Sequence, residues 1–295
     1  MSRSPIVSVV MPTYRRSDLM RRAVRSVMAQ TFSDFELIVV DDNGEGHPQQ
    51  LATQQHLNDE FDDVRIRYIV NAGAHGGSGA RNTGIREAHG DYIGFIDDDE
   101  DWLPAKLQKQ IELFEVSSSS VGVIHTGFYD WKSDGRVRHA HPKMEGWIFE
   151  RLLAKTGGRA PKLSTILCRR EVFDHAGCFD TELPAREDYD LYLRIARNFQ
   201  FLSLDEPLAN KRADAEQRLT SNPENFVKGF EGIYRKFGTE FRARPHTHSV
   251  YLLRYSEALV KAGHRDEALN RYFQAARLWP LNPRLITYGF KLLRG

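Results

Sequence analysis

The chain has 295 residues, and 41% of them are hydrophobic, ample for a sizeable core. Its 41 Lys plus Arg nearly cancel its 40 Asp plus Glu, so no global charge steers it to nucleic acid or to an anionic membrane. Cys168 and Cys178 are too few and too isolated for a disulfide framework or a cysteine-based zinc site, which excludes a disulfide-rich scaffold and points to a reducing, cytoplasmic setting. The apolar stretch after Met1-Ser2-Arg3-Ser4-Pro5 is too short for a signal-peptide core, and no run approaches the ~18 residues of a membrane span.

From residue 6 to about 126, short β-rich runs alternate with helical patterns, the arrangement of parallel strands joined by crossover helices. Strands are expected at 6–11, 35–40, 64–70, 92–96 and 121–126. A helix carrying Leu19, Ala23, Val24, Val27 and Met28 follows the first strand, with Ser17-Asp18 as its expected cap. Further helices fit 48–60, 78–89 and 104–116. The alternation then breaks down. Residues 131–141 read as a polar hairpin or loop, 163–167 as a strand, 187–198 as a helix and 201–204 as a last strand. From about 222 the pattern is wholly helical, and residues 251–279 make a helical hairpin turning at Gly263-His264. Ala258, Gly263, Ala268, Ala275 and Pro280 echo one tetratricopeptide unit, and a single copy makes a packing appendage, not a solenoid.

In open α/β sheets ligands gather at the carboxyl ends of the strands. Those ends carry the chemistry here. Asp97-Asp98-Asp99-Glu100-Asp101 directly follows an apolar strand, and five adjacent carboxylates repel one another unless water or a cation neutralises them. The run is either a seat for a hard divalent metal or a solvated acidic turn. Gly73, Gly76, Gly77 and Gly79 precede a helix N-terminus, where free N–H groups suit an anion, although the spacing matches neither a dinucleotide fingerprint nor a Walker loop. Asp41-Asp42 closes the second strand and can face a base or ribose, or serve as turn chemistry. Tyr14 either stacks on a base or covers the sheet edge. His75 and His125 follow strands, and lone histidines of this kind are more often surface or core groups; Cys178 reads as structural.

Taken together, five motifs resemble the inverting family 2 glycosyltransferases of the GT-A fold. They are Val9-Val10-Met11-Pro12-Thr13-Tyr14-Arg15-Arg16, Leu37-Ile38-Val39-Val40-Asp41-Asp42-Asn43, Gly76-Gly77-Ser78-Gly79-Ala80-Arg81-Asn82-Thr83-Gly84, Asp97-Asp98-Asp99 and Arg186-Glu187-Asp188-Tyr189-Asp190-Leu191. The resemblance covers roughly residues 5 to 210. It implies an α/β fold with a mostly parallel, Rossmann-like sheet and a C-terminal helical appendage, divided as 1–221 and 222–295. By the same resemblance Asp42 binds the base, with Pro12 and Tyr14 lining its pocket, and Arg81 lies near the nucleotide. Asp97 and Asp98 meet ribose or metal, Asp99 is the direct ligand of Mg²⁺ or Mn²⁺, and Asp188 is the general base with Glu187 beside it. Asn43-Gly44 stands where the family often has Gly-Ser, and Glu100-Asp101 extends the usual acid motif, which leaves the ligating carboxylate open by one position.

The resemblance implies an enzyme that moves a sugar from a nucleotide donor, most often UDP-linked, to a hydroxyl of a glycan or lipid-linked glycan in surface polysaccharide assembly. Asp188, in the first turn of its helix, sits where the helix dipole suits a carboxylate base. Lys211 and Arg212, after the last strand, either clamp the diphosphate in a lid or belong to a solvated loop. Two rivals remain: a sugar nucleotidyltransferase, which the Pro12-Thr13-Tyr14 loop fits poorly, and a non-catalytic nucleotide-sugar-binding scaffold. Trp279, Arg284, Tyr288, Phe290, Lys291 and Arg294 allow peripheral contact of the C-terminus with the inner face of a membrane, or packing within the protein.

Overall fold

A computed structural model describes residues 4–142, 144–155, 160–212 and 222–294. In chain order the elements are β1 (Val7–Thr13), α1 (Ser17–Met28), β2 (Phe35–Asp41), α2 (Pro48–Glu60), β3 (Ile66–Val70), α3 (Gly77–Glu87), β4 (Tyr92–Phe95), β5 (Asp101–Trp102), α4 (Lys106–Glu115), β6 (Val121–Trp131) and β7 (Val137–Ala140). There follow α5 (Phe149–Lys155), a 3₁₀ turn at Leu163–Thr165, β8 (Ile166–Arg169), α6 (Glu171–Ala176), α7 (Glu187–Ile195), β9 (Gln200–Lys211), α8 (Pro223–Arg242), α9 (Pro245–Lys261), α10 (Arg265–Leu278) and α11 (Arg284–Arg294).

The strands form one nine-stranded sheet in the order β3-β2-β1-β4-β8-β6-β9-β5, with β7 paired to β6. Pairing is parallel from β3 through β4, and β8 then enters antiparallel to both β4 and β6. β2 is buried along its whole length because parallel strands are covered on both faces. Met20, Ala23, Val24 and Val27 lie on one stripe of α1 and join Val9, Met11, Leu37, Val39, Trp102, Leu107 and Phe114 in the core.

The chain divides into two compact units that interleave along the sequence. One comprises Met1–Trp147, Pro161–Thr181 and Arg194–Glu216; the other comprises Ile148–Ala160, Glu182–Leu193 and Gln217–Gly295. The whole sheet lies in the first unit. The expected single division at 221/222 does not coincide with this partition, which groups α5 and most of α7 with the C-terminal helices. Within the second unit α9 and α10 form the expected hairpin, and small residues let the helices approach. Ser249 Oγ donates to the Ala275 carbonyl at 2.9 Å and Ser256 Oγ to the Ala268 carbonyl at 2.8 Å.

Three local expectations are corrected. Helix α1 begins at Ser17 without a side-chain cap, and Arg16 occupies the cap position with its guanidinium turned to the acid run. The strand expected at 163–167 starts only at Ile166 as β8, and 163–165 form a 3₁₀ turn in which Ser164 Oγ accepts from the Asp97 N–H at 3.1 Å and the Ser164 carbonyl from Trp102 Nε1 at 2.7 Å. The last strand runs on to Lys211, past Pro207, at a point where its register against β6 shifts.

Candidate active site

The five-acid run does not act as one cluster. Asp98 is buried, accepting from Thr13 Oγ1 at 2.9 Å and from Arg16 NH1 at 3.1 Å. Burial is the main influence on its carboxyl, pushing it up to about 6 in spite of Arg16. Asp101 is also buried, held by Asn210 Nδ2 at 2.5 Å and by Arg212 Nε at 2.8 Å, with Arg22 Nε at 3.4 Å. These two of the five acids are thus buried and tied into the protein by hydrogen bonds. The remaining three, Asp97, Asp99 and Glu100, bring carboxylate oxygens within 4.8 Å of one another.

Asp98, expected at ribose or metal, here turns its oxygens to Thr13 and Arg16. The third member of the trio is Glu100, which the sequence marked only as an extension of the motif. Burial, then the charge of Asp97, raises Glu100, while the Ser164 hydroxyl opposes the shift by hydrogen bonding to it. Asp99 is raised by burial first and by Asp97 next, although Arg16 NH1 reaches it at 3.0 Å. Carboxylates crowded together in this way gain by taking up a cation. An all-oxygen set of this kind fits Mg²⁺ or Mn²⁺.

Arg81 donates from NH2 to Asp97 Oδ1 at 2.7 Å, and its guanidinium lies 5.7 Å from the Phe179 ring centroid. Its position depends on the glycine-rich loop. A Cβ at Gly79 would stand 1.7 Å from the Ala74 carbonyl oxygen, so only glycine permits this approach of loop to helix. Gly76 has φ +89° and gives its N–H to Asp42 Oδ2 at 2.6 Å.

Asp42 also accepts from Asn71 Nδ2 at 2.6 Å, and His75 Nδ1 lies 3.1 Å from its Oδ1. Its carboxylate thus anchors the loop between β3 and α3. The neighbouring Asp41 is fully buried and takes no part in a cleft, accepting from Asn43 and from the Tyr68 hydroxyl at 2.9 Å. Pro12 and Tyr14, both half-buried, end β1 beside Asp42, whose N–H donates to the Thr13 carbonyl at 2.9 Å. The Arg15 guanidinium lies 5.0 Å from the Tyr14 ring centroid, and Arg15 itself is left-handed at φ +53°.

His125 is a core group, its Nε2 2.6 Å from the Met144 carbonyl oxygen and its pKa lowered by burial. Arg212 is paired with Asp101 and is no solvated loop base; residues 213–221, where a lid would continue, lie outside the described residues. Glu187 and Asp188 open α7 in the second unit, half-buried, with Asp188 Oδ1 accepting from the Tyr189 N–H at 2.7 Å. Before them Arg186 stands at φ +67°, its guanidinium 4.0 Å from the Phe230 ring centroid and 4.7 Å from that of Tyr189.

Residues 8–176 match glycosyl transferase family 2, and the chain belongs to that family. It is 31% identical over 269 residues to WcaA of Escherichia coli strain K12, a glycosyl transferase assigned to colanic acid biosynthesis, with 86% of this chain and 88% of that one covered. It is 26% identical over 255 residues to the Escherichia coli UDP-Glc:alpha-D-GlcNAc-diphosphoundecaprenol beta-1,3-glucosyltransferase WfgD, covering 85% of this chain and 92% of that one. The fold is of the GT-A type. It superposes on the mannosyltransferase PcManGT of Pyrobaculum calidifontis, solved with GDP-Man and Mn²⁺, at a TM-score of 0.58 and 18% identity, over 100% of this chain and 82% of that one.

Proposed function

We propose that this chain is a metal-dependent, inverting glycosyltransferase that moves a sugar from a UDP-linked donor to a hydroxyl of a glycan or lipid-linked glycan, in the assembly of a surface polysaccharide. The observation that carries this reading is the convergence of Asp97, Asp99 and Glu100, whose carboxylate oxygens lie within 4.8 Å of one another after β4. The name of WcaA supports the polysaccharide setting, and that of WfgD the UDP donor and lipid-linked acceptor.

Asp99 and Glu100 would hold Mg²⁺ or Mn²⁺ with Asp97, which Arg81 orients. When bound, such an ion stabilises the charge that builds on the departing nucleoside diphosphate. Asp42, Pro12 and Tyr14 take the base. The acceptor hydroxyl attacks the anomeric carbon, its proton passes to Asp188 and the bond to the diphosphate oxygen breaks, so the anomeric centre inverts. Glu187 orients the acceptor beside it. The sheet-bearing catalytic domain spans 1–221 in this reading.

The setting is cytoplasmic, with no nucleic acid partner, at the inner face of the membrane where the acceptor is lipid-linked. No helix among the described residues is long and apolar enough to cross a membrane. Contact would fall to the C-terminus, where Leu281 and Ile286 are exposed near Arg284; the side chains of Phe290, Lys291 and Arg294 lie outside the described residues.

The test is a screen of nucleotide sugars with Mn²⁺, Mg²⁺ or EDTA, reading the thermal shift and the released product. A UDP-sugar with metal should raise Tm together, and UDP should appear on transfer. Pyrophosphate in place of UDP would mean a nucleotidyltransferase, and donor binding without any turnover would leave a scaffold.

A further inference from the structure

The β6–β7 hairpin carries His139-Ala140-His141 along its edge, with His139 opposite Tyr129. A spacing of two in extended chain sets both imidazoles on one face, and their ring centroids lie 3.7 Å apart. A third group comes from β9. Its register against β6 slips between Thr126↔Leu204 and Gly127↔Pro207, leaving Asp205 and Glu206 out of the ladder. Bulges re-aim side chains, and Asp205 Oδ1 here reaches to 2.7 Å from His141 Nδ1.

Two further features suit a ligand. A Cβ at Gly127 would come within 3.0 Å of His139 Nε2, so the glycine leaves room for the imidazole. That nitrogen is closed to solvent and has no hydrogen-bond partner among the described residues, a deficit that coordination would relieve after a turn of the ring. The three residues offer ligand atoms within 4.8 Å of one another, and none belongs to the donor site.

We propose that His139, His141 and Asp205 form a second metal site, selective for a borderline divalent cation of the Zn²⁺, Co²⁺ or Ni²⁺ kind. Two imidazole nitrogens and one carboxylate oxygen make a three-ligand set for such ions with an open fourth position. The all-oxygen trio of Asp97, Asp99 and Glu100 has the opposite preference, so one chain carries two sites separated by ligand chemistry. Tetrahedral bonds of about 2.0–2.2 Å imply ligand-to-ligand edges of roughly 3.3–3.6 Å. Side-chain adjustment at exposed His141 and Asp205 closes that gap without moving a strand. The bound ion ties the hairpin to β9, whose far end sets Asn210 and Arg212 on Asp101.

The experiment titrates Zn²⁺ alone, by calorimetry, into metal-free protein carrying Asp99→Asn and Glu100→Gln, and follows Co²⁺ by its visible absorption. One equivalent should bind. His139→Ala and His141→Ala should each weaken it at least about tenfold, and together they should abolish the tetrahedral Co²⁺ bands. Asp205→Asn, an exposed change, provides a milder variant whose circular dichroism should match the parent. Mn²⁺ binding to the otherwise unmodified chain should be indifferent to all three. Undiminished Zn²⁺ affinity and stoichiometry in the double histidine variant, or the absence of a bound equivalent in its parent, overturns the proposal.

Discussion

Asp98 and Asp99 are neighbours with opposite circumstances, and substitution should separate them. Asp98 is buried between Thr13 and Arg16, so Asp98→Asn leaves a half-paired guanidinium in the interior and should cost about 1–3 kcal/mol in urea unfolding. Asp99 faces Asp97 and Glu100 as well as Arg16 NH1 at 3.0 Å, so in Asp99→Asn the repulsion relieved offsets the ion pair lost and stability should change by no more than about 0.5 kcal/mol, while Mn²⁺ binding is removed. Equal costs for the two would mean that the division of the acid run is wrong. That division could not be read in the sequence. Its carboxylates are alike in type and adjacent, and the arginines that sort them, Arg16, Arg22 and Arg212, come from distant segments. The places of Asp42, Arg81 and Asp97 in the fold were legible because each follows a strand or opens a helix, where position along the chain already fixes position in the sheet. Ser164 gave no signal, since a serine beside Thr165 at the start of a β-rich run carries none.

At the scale of elements, β1 and β2 were legible from continuous apolar runs, and α2 from Pro48 at its start. β9 was cut short because Asp205-Glu206-Pro207 reads as a break, yet a bulge admits a proline into a strand. On β2 sits a buried acid, Glu36, whose effect on stability should depend on pH. Burial alone pushes Glu36 up, but Ser8 Oγ at 2.6 Å, Arg67 NH1 at 2.8 Å and the His89 N–H at 2.7 Å more than offset it, so its pKa lies below the ordinary 4.5. A depressed carboxylate stabilises the fold above its unfolded value, and that contribution is lost as pH falls through the folded one. Glu36→Gln should therefore be less stable than the parent by about 1–3 kcal/mol at neutral pH, and the gap should narrow below pH ~4. A gap independent of pH would assign the effect to packing.

Helix α4 offers the reverse sign. Lys106 is wholly buried, its Nζ donating to the neutral Gln110 at 2.7 Å above the Trp102 ring, and burial holds its pKa well below the ordinary 10.5. The unfolded chain binds a proton that the folded one refuses, so this lysine costs stability at neutral pH and less as pH rises toward 10.5. Lys106→Met, similar in length and without the charge, should stabilise the protein at pH ~7 and lose that advantage near pH ~10. Melting curves at the two values decide it.

Across the whole molecule, the carboxylate trio belongs to the compact unit that holds the sheet, whereas Glu187 and Asp188 belong to the unit built of helices. The sequence showed the helices after residue 222 but not that segments 148–160 and 182–193 cluster with them, because such grouping rests on contacts remote in the chain. If donor and metal are held by the first unit, hydrogen exchange with UDP-sugar and Mn²⁺ should slow at the ends of β1, β2 and β4 and at the start of α3. Asp188→Asn should leave that protection and the donor-induced rise in Tm intact, because it removes no group that touches the nucleotide. Transfer should nevertheless fall about 10²–10⁴-fold, the span expected for losing a general base. A loss of donor protection in this variant would make Asp188 part of donor binding, and unchanged turnover would move the base elsewhere, with Glu187→Gln the next variant to carry the same comparison.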